Sequence, residues 1–201
     1  MKKITSLLMT LMITLTIPGT KAFAYGSRYN FIGQEGQSTS LWGGTGTTRE
    51  AVPGTNYYWL YENNAQYLVD CYGVPCSGWR MINGYWYLFD STGLMQTGWK
   101  KVDKTWYYLR PSGQMATGWV KSAGNWYYLY SSGAMATGWV KDGNSWYYMK
   151  PDGKMATGWV KTYGSWYFLT SSGQMVTGWA KINGTWYYFN SSGALQQNVK
   201  R

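Results

Sequence analysis

Histidine is absent from this 201-residue chain, and only two cysteines and eight carboxylic side chains accompany eighteen lysines and arginines. Without histidine a nucleophilic triad lacks its usual base. Two sulfurs alone are too few donors for a metal site, so none is expected, and no cofactor either. The N-terminal part offers Glu35, Glu50, Glu62 and Asp70. Glu35 and Glu50 would have to form a rigid pair to act as a glycosidase does. In a Gly-rich stretch with little core to hold them, each reads as a surface charge. Catalysis is therefore not expected. Long helices are excluded as well, because glycine (26 residues) and aromatics (19%) recur too often.

The one extended apolar run, Ile4 to Ile17, is rich in threonine, follows Lys2 and Lys3, and stops at Pro18-Gly19. It is short for a membrane span. With Ala22-Phe23-Ala24 behind it, the run reads as a signal peptide over residues 1–24, cleaved after Ala24. The mature chain is then secreted, with no membrane span. Removing Lys2, Lys3 and Lys21 lowers the formal charge from +10 to +7. Such a protein is drawn to anionic surfaces, including phosphate-rich polymers of a bacterial envelope. Nucleic acid is not expected, since Lys121, Lys141, Lys161 and Lys181 come one per repeat and form no basic block. In a secreted chain Cys71 and Cys76, separated by Tyr72-Gly73-Val74-Pro75, read as a small structural disulfide loop.

What the chain has in excess is tryptophan, at a fixed interval. Trp79, Trp99, Trp119, Trp139, Trp159 and Trp179 each follow a glycine, 20 residues apart. Seven residues after each stands a second: Trp86, Trp106, Trp126, Trp146, Trp166 and Trp186. This is a repeat protein. One copy reads Gly118-Trp119-Val120-Lys121-Ser122-Ala123-Gly124-Asn125-Trp126-Tyr127-Tyr128-Leu129, then Tyr130-Ser131-Ser132-Gly133-Ala134-Met135-Ala136-Thr137. Two short aromatic or β-branched runs flank a polar turn, which is a hairpin signal. A lone hairpin is marginal in water, so each must stack on its neighbours.

Alternation places Trp126 and Tyr128 on one face of the second strand, and Tyr127 and Leu129 on the other. Trp119 can lie beside Trp126 across the hairpin. If the next hairpin stacks in similar orientation, its Tyr148 and Met155 approach the same place. Two indoles, a phenol and a thioether would form a box with electron-rich walls and few hydrogen-bonding groups. Such a box suits a quaternary ammonium. Aromatics and Met can also simply seal seams, yet two Trp per repeat exceed what a seam needs.

The pattern Thr-Gly-Trp, turn, Trp-Tyr-Tyr, Gly-containing linker and Met resembles the choline-binding repeats of Gram-positive surface proteins. It covers residues 77–201. The resemblance implies an all-β, left-handed solenoid of stacked hairpins. Choline would sit between successive repeats, held by two Trp of one hairpin and a Tyr and Met of the next. It also implies noncovalent attachment to phosphocholine on teichoic or lipoteichoic acid. By position, the first box is Trp79, Trp86, Tyr108 and Met115, and the second Trp99, Trp106, Tyr128 and Met135. The third is Trp119, Trp126, Tyr148 and Met155. The fourth has Trp139, Trp146 and Met175 with Phe168 for tyrosine, and the fifth Trp159, Trp166 and Tyr188 with Leu195 for methionine. Trp179 and Trp186 lack a following hairpin to complete a sixth.

Residues 25–76 differ. Tyr57 to Tyr67 loosely echoes a repeat, so degenerate hairpins capping the array are expected, with an effector module as the alternative. Display of a host-binding surface, making the whole an adhesin, is a third role. A glucan-binding repeat is the rival for the array itself. Sugar sites add polar side chains to satisfy hydroxyls, whereas the neighbours of these Trp pairs are mainly Val, Ala, Gly and Met.

Overall fold

The computed structural model describes residues 48–196, all of them in strands, turns and connecting loops. The expected signal segment and Glu35 lie outside these residues. No helix among the described residues is long and apolar enough to cross a membrane. A three-stranded sheet comes first: β1 (Thr48–Ala51), β2 (Tyr57–Glu62) and β3 (Ala65–Asp70). Glu50 on β1 is exposed and accepts a hydrogen bond from the Tyr61 hydroxyl at 3.3 Å.

Six hairpins follow at the repeat interval: β4–β5 (Gly78–Ile82, Tyr85–Phe89), β6–β7 (Gly98–Val102, Thr105–Leu109) and β8–β9 (Gly118–Ser122, Asn125–Leu129), then β10–β11 (Gly138–Asp142, Ser145–Met149), β12–β13 (Gly158–Thr162, Ser165–Leu169) and β14–β15 (Gly178–Ile182, Thr185–Phe189). A short β16 (Leu195–Gln196) returns against β15. The architecture is the all-β array of stacked hairpins that the repeat pattern implies.

Each hairpin closes through two residues, and their backbone explains the polar turn. Asn83 and Gly84 both take positive φ, 50° and 81°. That geometry matches the right-handed twist of the flanking strands. Asp103 and Lys104 take the same conformation without glycine (47° and 70°), held by the strands around them.

Register assigns the faces. In β8–β9, Trp119 pairs with Tyr128 and Lys121 with Trp126, on one face; Val120 pairs with Tyr127 on the other. The Trp face of each hairpin meets the opposite face of the next. Thus Trp99, Tyr108 and Met135 pack on buried Ala116, Val120 and Leu129, and Trp119, Tyr128 and Met155 on buried Ala136, Val140 and Met149. The core is a series of such small seams. Each buried Leu or Met contributes roughly 1.5–3 kcal/mol.

Backbone hydrogen bonds set the spacing of the stack. The linker after β9 turns back so that Met135 N–H donates to the Trp106 carbonyl, one hairpin earlier, at 2.8 Å. Met155 does the same to Trp126 at 2.8 Å, and Met175 to Trp146 at 2.7 Å. Each methionine sulfur then lies under the linker glycine of the following repeat. A Cβ at Gly153 would overlap the Met135 sulfur, and Gly153 also sits at φ +81°. Glycine is required there twice over.

The expected disulfide is not formed; Cys71 and Cys76 are both free. Asp70 explains why. Its carboxylate accepts from Tyr72 N–H and Val74 N–H, at 2.9 and 2.8 Å, and closes a turn whose tip carries Cys71 outward. Cys76 N–H donates to the Leu68 carbonyl at 2.8 Å, which holds that residue inside the seam. Its buried thiol packs with Val52, Leu68, Ile82 and Phe89, and burial pushes its pKa up.

Two measurements check this packing. Gly153→Ala should lower stability by about 2–4 kcal/mol, from strain at positive φ plus overlap with Met135. Gly143→Ala should cost under about 1 kcal/mol: its φ is +58° with open space around it, and alanine already holds the matching position 123. Thermal unfolding followed by circular dichroism would separate the two, and equal losses would refute the Met–Gly contact. In thiol labelling of the native protein, Cys71 should react at once and Cys76 only on unfolding; no free thiol would restore the disulfide.

Candidate functional site

The third seam shows the site most completely. Trp119 and Trp126, from facing strands of one hairpin, meet edge to face at 6.3 Å and 88°. Tyr147, on β11 of the next hairpin, meets Trp119 at 4.7 Å and 69°. Met155 closes one side, and Ser171 and Ser172 reach the rim from the linker beyond. Together these six residues line a concavity of about 380 Å³. Edge-to-face contacts fix the rings' directions. Trp126 stays 42% exposed, so one wall of the concavity is open to solvent.

The ring arrangement recurs. Trp79 meets Tyr107 at 5.0 Å, Trp99 meets Tyr127 at 4.7 Å, Trp139 meets Tyr167 at 4.8 Å and Trp159 meets Tyr187 at 4.9 Å. Trp99–Trp106 and Trp159–Trp166 repeat the edge-to-face indole pair at 6.5 and 6.3 Å. The backbone N–H of Met115, Met135, Met155 and Met175 donates to the carbonyl of Trp86, Trp106, Trp126 and Trp146, which sets each of these methionines beside the second Trp of the preceding hairpin. At the fifth seam, Leu195 pairs with Phe189 through β16. Trp179 packs on Tyr188 at 5.1 Å.

The tyrosine differs from expectation by one residue. Tyr108, Tyr128, Tyr148, Phe168 and Tyr188 each lie against the first Trp of their own hairpin, at 5.1–5.2 Å. The ring contributed backward to the preceding Trp is Tyr107, Tyr127, Tyr147, Tyr167 or Tyr187. The reason is directional stacking. A hairpin whose Trp face looks toward the next repeat must present its other face to the previous one, and parity puts Tyr147, not Tyr148, there. The expected phenylalanine exception then disappears from the fourth box, where Tyr167 stands. Parity was readable from the sequence, but the front-to-back sense of stacking was not.

Charge beside the rings is mostly lysine, with one carboxylate. Lys101, Lys121, Lys141 and Lys161 each hold the ammonium 5.8–6.0 Å from the centroid of the second Trp. That distance is at the outer limit of cation–π attraction, and the exposed indoles thus already attract positive charge. The third seam adds a carboxylate. Trp119 Nε1–H donates to Asp142 at 2.9 Å, whereas Trp99 Nε1–H reaches only the Ser122 hydroxyl at 3.3 Å. Val102, Thr162 and Ile182 occupy the matching positions elsewhere. No group of His, Cys, Asp or Glu among the described residues is gathered to hold a metal.

The family model described as "Choline-binding repeat" matches residues 76–117, 96–137, 116–152 and 136–177, and the "Putative cell wall binding repeat" model matches residues 177–195. The chain belongs to the choline-binding repeat family. Among solved structures, CbpJ from Streptococcus pneumoniae TIGR4 is 45% identical with a TM-score of 0.65, over 69% of this chain and 51% of that one. Choline binding protein F from Streptococcus pneumoniae, solved in the presence of a peptidoglycan analogue, is 39% identical with a TM-score of 0.66. That match spans 72% of this chain and 57% of the other. The chain thus covers little more than half the length of either. No curated protein matches it.

The tyrosine reassignment is testable with tetramethylammonium, the simplest quaternary cation. Tyr147→Ala should weaken the response of the Trp119 and Trp126 indole N–H resonances by about 2- to 30-fold in affinity, one ring's contribution. Tyr148→Ala should leave that response in place and disturb Trp139 instead. The reverse pattern would return Tyr148 to the third box.

Proposed function

We propose that this protein is a noncatalytic anchor that binds choline in the seams between hairpins and so attaches to phosphocholine on teichoic or lipoteichoic acids of a bacterial wall. The observation that carries this reading is the repeated set of two indoles, one phenol and one thioether, which at the third seam lines an open concavity. A quaternary ammonium has no hydrogen to donate and needs only ring faces and apolar contact, which such a set supplies. The proposed boxes are Trp79/Trp86/Tyr107/Met115, Trp99/Trp106/Tyr127/Met135, Trp119/Trp126/Tyr147/Met155 and Trp139/Trp146/Tyr167/Met175. Trp159, Trp166, Tyr187 and Leu195 make a fifth with a weaker side wall.

Three rings at about 0.5–2 kcal/mol each supply roughly 1.5–6 kcal/mol. A millimolar site needs about 4 kcal/mol. Single boxes are therefore weak, and attachment gains its strength when one polymer engages several at once. Secretion, the signal peptide, and any role of the N-terminal residues in contacting a host surface belong to the same proposal. The solved relative held with a peptidoglycan analogue supports a wall setting.

Calorimetric titration with choline should show saturable binding at about four or five sites, with no heat from an isomalto-oligosaccharide titrated alongside. Heat from the sugar and none from choline would make the array a glucan binder. The boxes should also differ in strength. Asp142→Asn keeps a hydrogen-bond acceptor for Trp119 and removes the charge. It should lower choline affinity at the third box about two- to fivefold, the share left to an exposed carboxylate after solvent screening. Binding of 3,3-dimethylbutanol, the uncharged isostere, should be unchanged. Equal effects on both ligands would show that Asp142 acts by shape alone.

A further inference from the structure

The β2–β3 hairpin lies outside the residues matched by either family model, yet it has the frame of a repeat. Trp59 pairs with Leu68 as Trp79 pairs with Leu88. Tyr87 of the next hairpin meets Trp59 edge-on at 5.5 Å, as Tyr107 meets Trp79 at 5.0 Å. Met95 N–H donates to the Gln66 carbonyl at 2.8 Å, as Met115 N–H does to that of Trp86 at 2.7 Å. Gln66 therefore holds the place of the second indole.

A concavity of about 490 Å³ opens at this position, its lining including Gln66, Met95, Pro111 and Ser112. These four lie three repeat periods before Trp126, Met155, Ser171 and Ser172, which line the third box. The two concavities share these four positions, with a carboxamide in place of the second ring, and Trp59 and Tyr87, the counterparts of Trp119 and Tyr147, do not line this one. The replacement changes what can bind. No aromatic ring lines this concavity, so a quaternary ammonium loses its attraction. The polar lining is Asn64, Gln66, Thr97 and Ser112, over apolar Leu94, Met95 and Pro111. Neither a carboxylate nor an ammonium lines it, which selects a neutral ligand.

We propose that this concavity binds a neutral sugar unit of the N-acetylated hexosamine class. A pyranose has one apolar face for Leu94, Met95 and Pro111, and a hydroxyl edge for Thr97 and Ser112. The carboxamides of Asn64 and Gln66 can each donate to and accept from an acetamido group. The volume falls within the range of small-ligand sites, and a few convergent polar groups on an apolar lining are their usual composition. The array would then read two chemistries side by side, choline in the ring-walled seams and a glycan at its N-terminal end.

The test is a titration of the full chain, saturated with choline, with the β-linked trisaccharide of N-acetylglucosamine, followed by amide resonances. Saturable shifts at Gln66, Met95 and Thr97 are expected, undiminished by choline. Gln66→Trp should abolish the sugar response and add one choline equivalent to the stoichiometry. Thr97→Val, exposed and nearly isosteric, should weaken the sugar at least threefold without touching choline binding, whatever the folding yield of the first variant. Absence of sugar shifts, displacement of sugar by choline, preference for a short amide-rich peptide, or indifference to both substitutions would each overturn the assignment. Should the wild-type chain bind no choline, the anchor reading fails, and the sugar titration without choline still decides this one.

Discussion

A two-stranded hairpin has two faces and no interior, and this structure depends on how that shortage is met. Each hairpin lays its Trp face on the opposite face of the next, so every seam is half of one repeat and half of its successor. Leu129 and Val120 are buried only because Trp99 and Tyr108 cover them. The methionine linker is the fastener. Its N–H reaches one hairpin back to a Trp carbonyl, and its sulfur supports the next linker at a glycine where no Cβ fits.

The same arrangement produces the boxes. Edge-to-face packing at 4.7–5.0 Å aims Tyr rings of one repeat at the first Trp of the preceding one. The second Trp, 40–43% exposed in each of the first five hairpins, is left at the edge of the seam with part of its ring uncovered. Burial therefore divides the two indoles of a pair. The first is half-buried and holds the seam, and the second, at Trp126, lines a concavity. This division explains why two tryptophans recur where a seam alone would need one large apolar side chain.

Variation among seams follows from positions that packing leaves free. The position that accepts the indole N–H of the previous repeat at Ser122 and Asp142 carries Val102, Thr162 or Ile182 in other copies, and only Asp142 brings charge. At the N-terminal hairpin the exposed ring position carries Gln66, and the concavity becomes polar while the frame beneath it is kept. A repeat array can thus change ligand chemistry at one seam without disturbing its neighbours, since stability depends on nearest-neighbour contacts.

Much was legible in the sequence because local geometry repeats every 20 residues. Alternating aromatic runs around two-residue turns determined the hairpins, and Gly-Trp spacing determined the array. Tertiary structure decided what depends on the sense of stacking. Tyr147 enters the third box in place of Tyr148 because opposite faces meet, and no strand pattern states which face its neighbour will cover. It also decided that Cys71 and Cys76 stay apart. The spacing suggested a loop, but the Asp70 turn points one thiol outward while the seam buries the other. The Gln66 concavity appeared only when β2–β3 took the register of a repeat. Its sequence echo was faint because the ring that marks every other copy is the one replaced.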